Sequence, residues 1–120
     1  MVELVHPADP NKRKRGLGII DTGASHSAID RVVAEDLDLD PMGGTTMDRY
    51  DDENEKADTP LFGVQIEILN LGTYRRTALG LYLAKCDAVA LIGNDLLRKM
   101  KLRYDGPQRS VILSPSEAAE

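Results

Sequence analysis

The chain has 120 residues, one cysteine and a formal net charge of -5. That length fits one domain, large enough to bury a core without disulfides or a structural metal. The acidic balance argues against nucleic acid and anionic membrane as partners, because both are held by clustered positive charge. Cys86 has no mate for an internal bridge, which fits a reducing compartment. No apolar run approaches the ~20 residues needed to cross a bilayer, and Met1 to His6 is too short and too polar for a secretory signal. The expectation is a soluble, cytoplasmic, single-domain protein over residues 1–120, with its core in 1–113 and a short tail over 114–120. A segment trimmed from a longer chain would read the same.

In chain order, the pattern is mostly strands with two short helices. Val2 to Val5 and Leu17 to Ile20 are β-prone runs flanking Pro7-Ala8-Asp9-Pro10-Asn11 and Lys12-Arg13-Lys14-Arg15. They predict a hairpin with the basic cluster in its solvated loop, rather than a nucleic-acid patch. Ile29, Val32, Val33 and Leu37 recur at helical spacing, with Ser27 or Asp30 as cap. Asp38 to Pro60 is polar and turn-rich. Val64, Ile66 and Ile68 then alternate as one face of a strand. Asn70-Leu71-Gly72 is a predicted turn, and Tyr74 to about Leu83 the next strand. Ala88 to Ile92 is apolar and ends at Gly93, after which Asn94 is expected to cap a helix through about Met100. Leu102 to Tyr104 and Ser110 to Leu113, around Asp105-Gly106-Pro107, predict a closing hairpin. There is no repeat and no internal domain boundary.

The informative segment is Leu17-Gly18-Ile19-Ile20-Asp21-Thr22-Gly23-Ala24-Ser25. An isolated carboxylate at the end of an apolar strand resists leaving water. Thr22 offers a hydroxyl and Gly23 a tight backbone turn, so hydrogen bonds can hold that carboxylate. Asp-Thr-Gly by itself is also what a strand ending in an ordinary turn looks like. A second segment, Ala90-Leu91-Ile92-Gly93-Asn94-Asp95-Leu96-Leu97, gives the first its context.

Together the two segments resemble the aspartic proteases, most closely the retropepsin-like, retroviral and single-domain microbial branch. The closing strands from Leu102 to Leu113 are similar as well, so the resemblance spans nearly the whole chain. It implies an all-β fold: a closed, barrel-like half-domain of the retropepsin-like acid protease kind, with one short C-terminal helix, functional as a two-fold dimer. It also implies an aspartic endopeptidase acting on peptide or protein substrates, needing no cofactor and no metal. Asp21 would be the catalytic carboxylate, Thr22 would tie the two active-site loops together, and Gly23 would let the backbone approach substrate. Ala24 and Ser25 would line the substrate cleft. Many retroviral relatives carry an acid at the position of Ser25 and an arginine at that of Asn94; a Ser25–Asn94 hydrogen bond is the expected replacement here.

One Asp-Thr-Gly per chain has a consequence. The mechanism shares one proton between two carboxylates, and two like charges ~4 Å apart repel by about 4 kcal/mol at an effective dielectric of ~20. The second carboxylate must come from another Asp21, hence a homodimer. The resemblance also implies a hairpin flap folding over the substrate, with its tip at Gly43-Gly44 or within Asp51 to Glu55, the latter slightly favoured. The alternative function is a catalytically silent protease-like domain serving dimerisation or peptide binding. Other sites fare worse. Gly23-Ala24-Ser25-His26-Ser27 lacks the last glycine of a nucleophile elbow, and His6, His26 and Cys86 have no metal-ligand spacing.

Overall fold

Residues 1–49 and 52–115 are described by the computed structural model, with 44–49, 52–58 and 84 as backbone only. Along them run β1 (Val2–His6), β2 (Asp9–Ile20), β3 (Ala28–Asp30), α1 (Arg31–Asp36), β4 (Pro41–Arg49) and β5 (Asp52–Ile68). There follow β6 (Gly72–Leu81), a 3-10 turn (Ala84–Cys86), β7 (Ala88–Ile92), α2 (Asn94–Leu97), β8 (Met100–Asp105) and β9 (Ser110–Pro115). The main sheet has the order β1-β2-β7-β3-β6-β5-β4. A further β1–β5 pairing closes its first six strands into a barrel, leaving β4 outside the ring. The fold is therefore all-β, a closed barrel with two short helices. Strands β8 and β9 form a separate two-stranded sheet. No helix among the described residues is long and apolar enough to cross a membrane.

The alternation of Val64, Ile66 and Ile68 turns one face of β5 into the barrel, where all three are buried. Leu4, Ile29, Ala78, Ala90, Ile92 and Leu96 complete the centre of the same cluster. Each large aliphatic side chain so buried contributes roughly 1.5–3 kcal/mol. The first helix is shorter than its apolar spacing predicts. Ile29 belongs to β3, and Asp30 is the cap, its carboxylate accepting from the Val33 amide. Asp30 also accepts from the buried Leu83 amide at 2.9 Å, joining α1 to the end of β6.

Three expectations are corrected. The amino-terminal hairpin turns at Pro7-Ala8, so Lys12 to Arg15 lie within β2 and not in a loop. Cross-strand acids account for this: Arg13 reaches Glu3 on β1 and Glu67 on β5, and Arg15 reaches Glu3. The polar stretch after Asp38 is two long antiparallel strands rather than a run of turns. Finally, α2 is a single turn begun by Gly93, and no side chain caps it.

The β4–β5 register pairs Arg49 with Asp52. Of the favoured flap placement, Asp51 lies outside the described residues and Asp52 to Glu55 belong to β5. Gly43 instead sits where the register shifts between Pro41 and Gly44, at φ +95°. That backbone conformation suits glycine and is strained for other residues.

Candidate active site

Strand β2 has two partners. Its first part pairs antiparallel with β1, and from Leu17 onward it runs parallel to β7. Ile20 lies beside Ile92, and the Asp21 amide continues the ladder by donating to the Ile92 carbonyl at 2.9 Å. Asp21 and Gly93 thus leave the barrel side by side at the ends of adjacent parallel strands.

Beyond Ile20 the chain turns sharply. The Gly23 amide donates to Asp21 Oδ1 at 2.9 Å, and the Ala24 amide donates to the Asp21 carbonyl at 3.2 Å. The carboxylate is half-buried, and Gly23 is its only side-chain hydrogen-bond partner among the described residues. Thr22, Gly23 and Ser25 are exposed, and Ala24 is half-buried.

Two hydrogen bonds fasten this loop to the start of α2. Asn94 Nδ2 donates to the Thr22 carbonyl at 2.6 Å, and the Asn94 amide donates to the Ala24 carbonyl at 2.8 Å. Asn94 therefore serves the loop, and the expected Ser25–Asn94 hydrogen bond is absent among the described residues. The asparagine reaches backbone instead, which leaves Ser25 pointing to solvent. Gly93 is required by the closeness of the two segments. A Cβ there would lie 2.7 Å from the His26 carbonyl oxygen and 3.0 Å from that of Ala24.

Beneath the loop lies a polar cluster that the sequence did not disclose. Ser27, fully buried, donates its hydroxyl to Asp95 Oδ1 at 2.6 Å and accepts the Gly93 amide at 3.0 Å. Asp95 also accepts the Leu96 amide at 3.0 Å. Arg76, on β6, donates through a terminal nitrogen to the Asp95 carbonyl at 2.6 Å. Its Nε stands 3.8 Å from Asp95 Oδ2 and is otherwise without a hydrogen-bond partner. A buried carboxylate is tolerated only when paired and hydrogen-bonded, and these contacts meet that condition. Nothing in the local sequence marks Asp95 for burial. Its burial follows from the partners that Ser27 and Arg76 bring to it from distant parts of the chain, which no local pattern encodes.

Three concavities on the single chain lie around Ile68, Leu69 and Leu71; between Arg75, Arg76 and Arg98, where His26 and Asp95 also line the wall; and between Arg31, Leu39 and Phe62. None of the three includes Asp21. The loop is thus a carboxylate mount fastened to the start of α2 by two hydrogen bonds.

The family model described as Aspartyl protease matches residues 7–113. No curated protein and no solved structure matches the chain. The matched span runs from the β1–β2 turn to β9 and contains both loops that form the mount. The chain belongs to the aspartyl protease family, as a retropepsin-like half-domain.

Proposed function

We propose that the protein is an aspartic endopeptidase whose active site forms between two copies of the chain, each contributing Asp21. The carrying observation is the mount itself: one half-exposed carboxylate, pinned by the Gly23 amide, in a chain with a single Asp-Thr-Gly. Brought together across a two-fold axis, the two carboxylates hold one proton between them. The ionised partner takes a proton from a water as that water attacks the scissile carbonyl. The protonated partner polarises the carbonyl oxygen and then supplies a proton to the departing amine. On this reading Thr22, exposed on each loop, joins its counterpart across the axis, and Ala24 and Ser25 line the cleft. The substrate is an extended peptide, covered by the β4–β5 hairpin and held largely through backbone hydrogen bonds as an added strand.

Mixing active and inactive subunits tests this reading. Asp21→Asn subunits added in excess should suppress cleavage by the wild type, because mixed dimers hold one carboxylate. Cleavage by the wild type that excess Asp21→Asn leaves unchanged would exclude a shared site. No cleavage at all by a confirmed dimer would favour the silent, peptide-binding alternative.

A further inference from the structure

One concavity gathers more positive charge than its own acids can answer. Arg75, Arg76 and Arg98 line it together with His26 and Thr77, and Asp95 is the only acid among the lining residues. In a chain of net charge -5, that local excess of cations stands out. Arg75 and Arg98 are exposed, and neither side chain makes a hydrogen bond or ion pair among the described residues. Arg76 leaves the other face of β6, since successive strand residues point to opposite sides. It keeps 26 % of its side chain exposed. One of its terminal nitrogens donates to the Asp95 carbonyl, while its Nε is buried without a hydrogen-bond partner. Asp95 is already engaged: Oδ1 accepts from the Ser27 hydroxyl and the Leu96 amide, and Oδ2 stands 3.8 Å from Arg76 Nε, beyond hydrogen-bond length. Buried donors in native proteins are nearly always paired, so a guanidinium left this short of acceptors marks a place where another acceptor belongs.

We propose that this concavity binds a small oxyanion, a phosphate or a carboxylate group, between Arg76 and Arg98 with Arg75 at its rim. A guanidinium presents forked N–H donors that match either anion, and such charge-assisted bonds are stronger than neutral ones. The Thr77 hydroxyl and the His26 ring supply further polar groups in the same wall. Asp21 does not line this concavity, and the proposal does not depend on a second subunit. It still bears on the Asp21 mount. Arg98 directly follows α2, Arg76 holds the Asp95 carbonyl from β6, and Asp95 is bonded to Ser27. An anion joining the two arginines ties β6 to α2 on the solvent side, as Ser27 and Asp95 tie the site loop to α2 in the interior. A ligand held only by the folded chain also raises its stability by mass action.

The test titrates sodium phosphate and, separately, sodium succinate into the full chain at fixed pH, with sodium chloride at matched ionic strength as the control for screening. Backbone amide NMR shifts and the thermal unfolding midpoint are the readouts. The amides of His26, Thr77, Asp95 and Arg98 should shift saturably with phosphate, with succinate or with both, whichever saturates naming the anion, and the midpoint should rise. Arg98→Gln and Arg75→Gln remove exposed charges without breaking a bond, so the fold should persist, as circular dichroism checks. Arg98→Gln should weaken binding at least tenfold and Arg75→Gln several-fold. Arg103→Gln, at an exposed arginine on β8 outside the concavity, should leave binding unchanged. Equal shifts in chloride, or no saturation with either anion, would overturn the site by leaving screening alone. Saturable binding that Arg98→Gln does not weaken would place the anion elsewhere and overturn it as well.

Discussion

The Ser27 hydroxyl donates to Asp95 Oδ1 at 2.6 Å, across a sequence separation of 68 residues, and both side chains are buried. Because the same oxygen of Ser27 accepts the Gly93 amide, one side chain holds both segments that carry the Asp21 mount. Ser27→Ala leaves a buried carboxylate oxygen and a buried amide short of a partner. The expected loss is about 2–3 kcal/mol, read from urea unfolding at one fixed protein concentration, since dimer stability depends on concentration. Asp95→Asn keeps an oxygen to accept the Ser27 hydroxyl while weakening the tie to Arg76. A Ser27→Ala protein as stable as the wild type would show that the cluster does not brace the loop.

Gly93 gives a steric prediction. The Cβ of Gly93→Ala would fall 2.7 Å from the His26 carbonyl oxygen and 2.8 Å from its carbon. Backbone must move to relieve this, and overpacking of that kind costs about 1–3 kcal/mol. Because the displaced backbone is the site loop, cleavage should fall by more than the loss of folded protein accounts for. Gly63→Ala is the control, because its Cβ would meet only the flexible Met42 side chain at 3.5 Å. Equal activities for the two variants would separate Gly93 from the site.

The basic run in β2 predicts unequal arginine and lysine effects. Arg13 stands between Glu3 and Glu67, which lie directly opposite each other on β1 and β5. Arg13→Ala leaves that like-charge pair unbridged and should cost about 0.5–1 kcal/mol. Lys12→Ala removes only an exposed pair with Asp38 and should cost about 0–0.5 kcal/mol. Unfolding in low and high salt checks both, since screening should narrow the difference.

What the sequence discloses here follows from where one face of an element is buried. Val64, Ile66 and Ile68 alternate because β5 lines the barrel, and Asp21-Thr22-Gly23 is legible because an apolar strand stops there abruptly. Lys12 to Arg15 mislead, since their strand is stabilised by acids on β1 and β5 that are distant in sequence. The β4–β5 hairpin misleads for another reason: its polar composition offers no alternation to read. Asn94 and Asp95 show the remaining limit. Asn94 reads locally as a helix cap, and Asp95 carries no local signal of burial. Tertiary placement beside the Thr22 carbonyl and Ser27 decides both.

The most direct test of the central claim is digestion of an unfolded protein substrate from pH 3 to 7 by the wild type and by Asp21→Asn, with both confirmed folded. The account predicts cleavage by the wild type and none by the variant, because one neutral amide in place of each carboxylate leaves no base to activate water. Equal cleavage by the two proteins would contradict it.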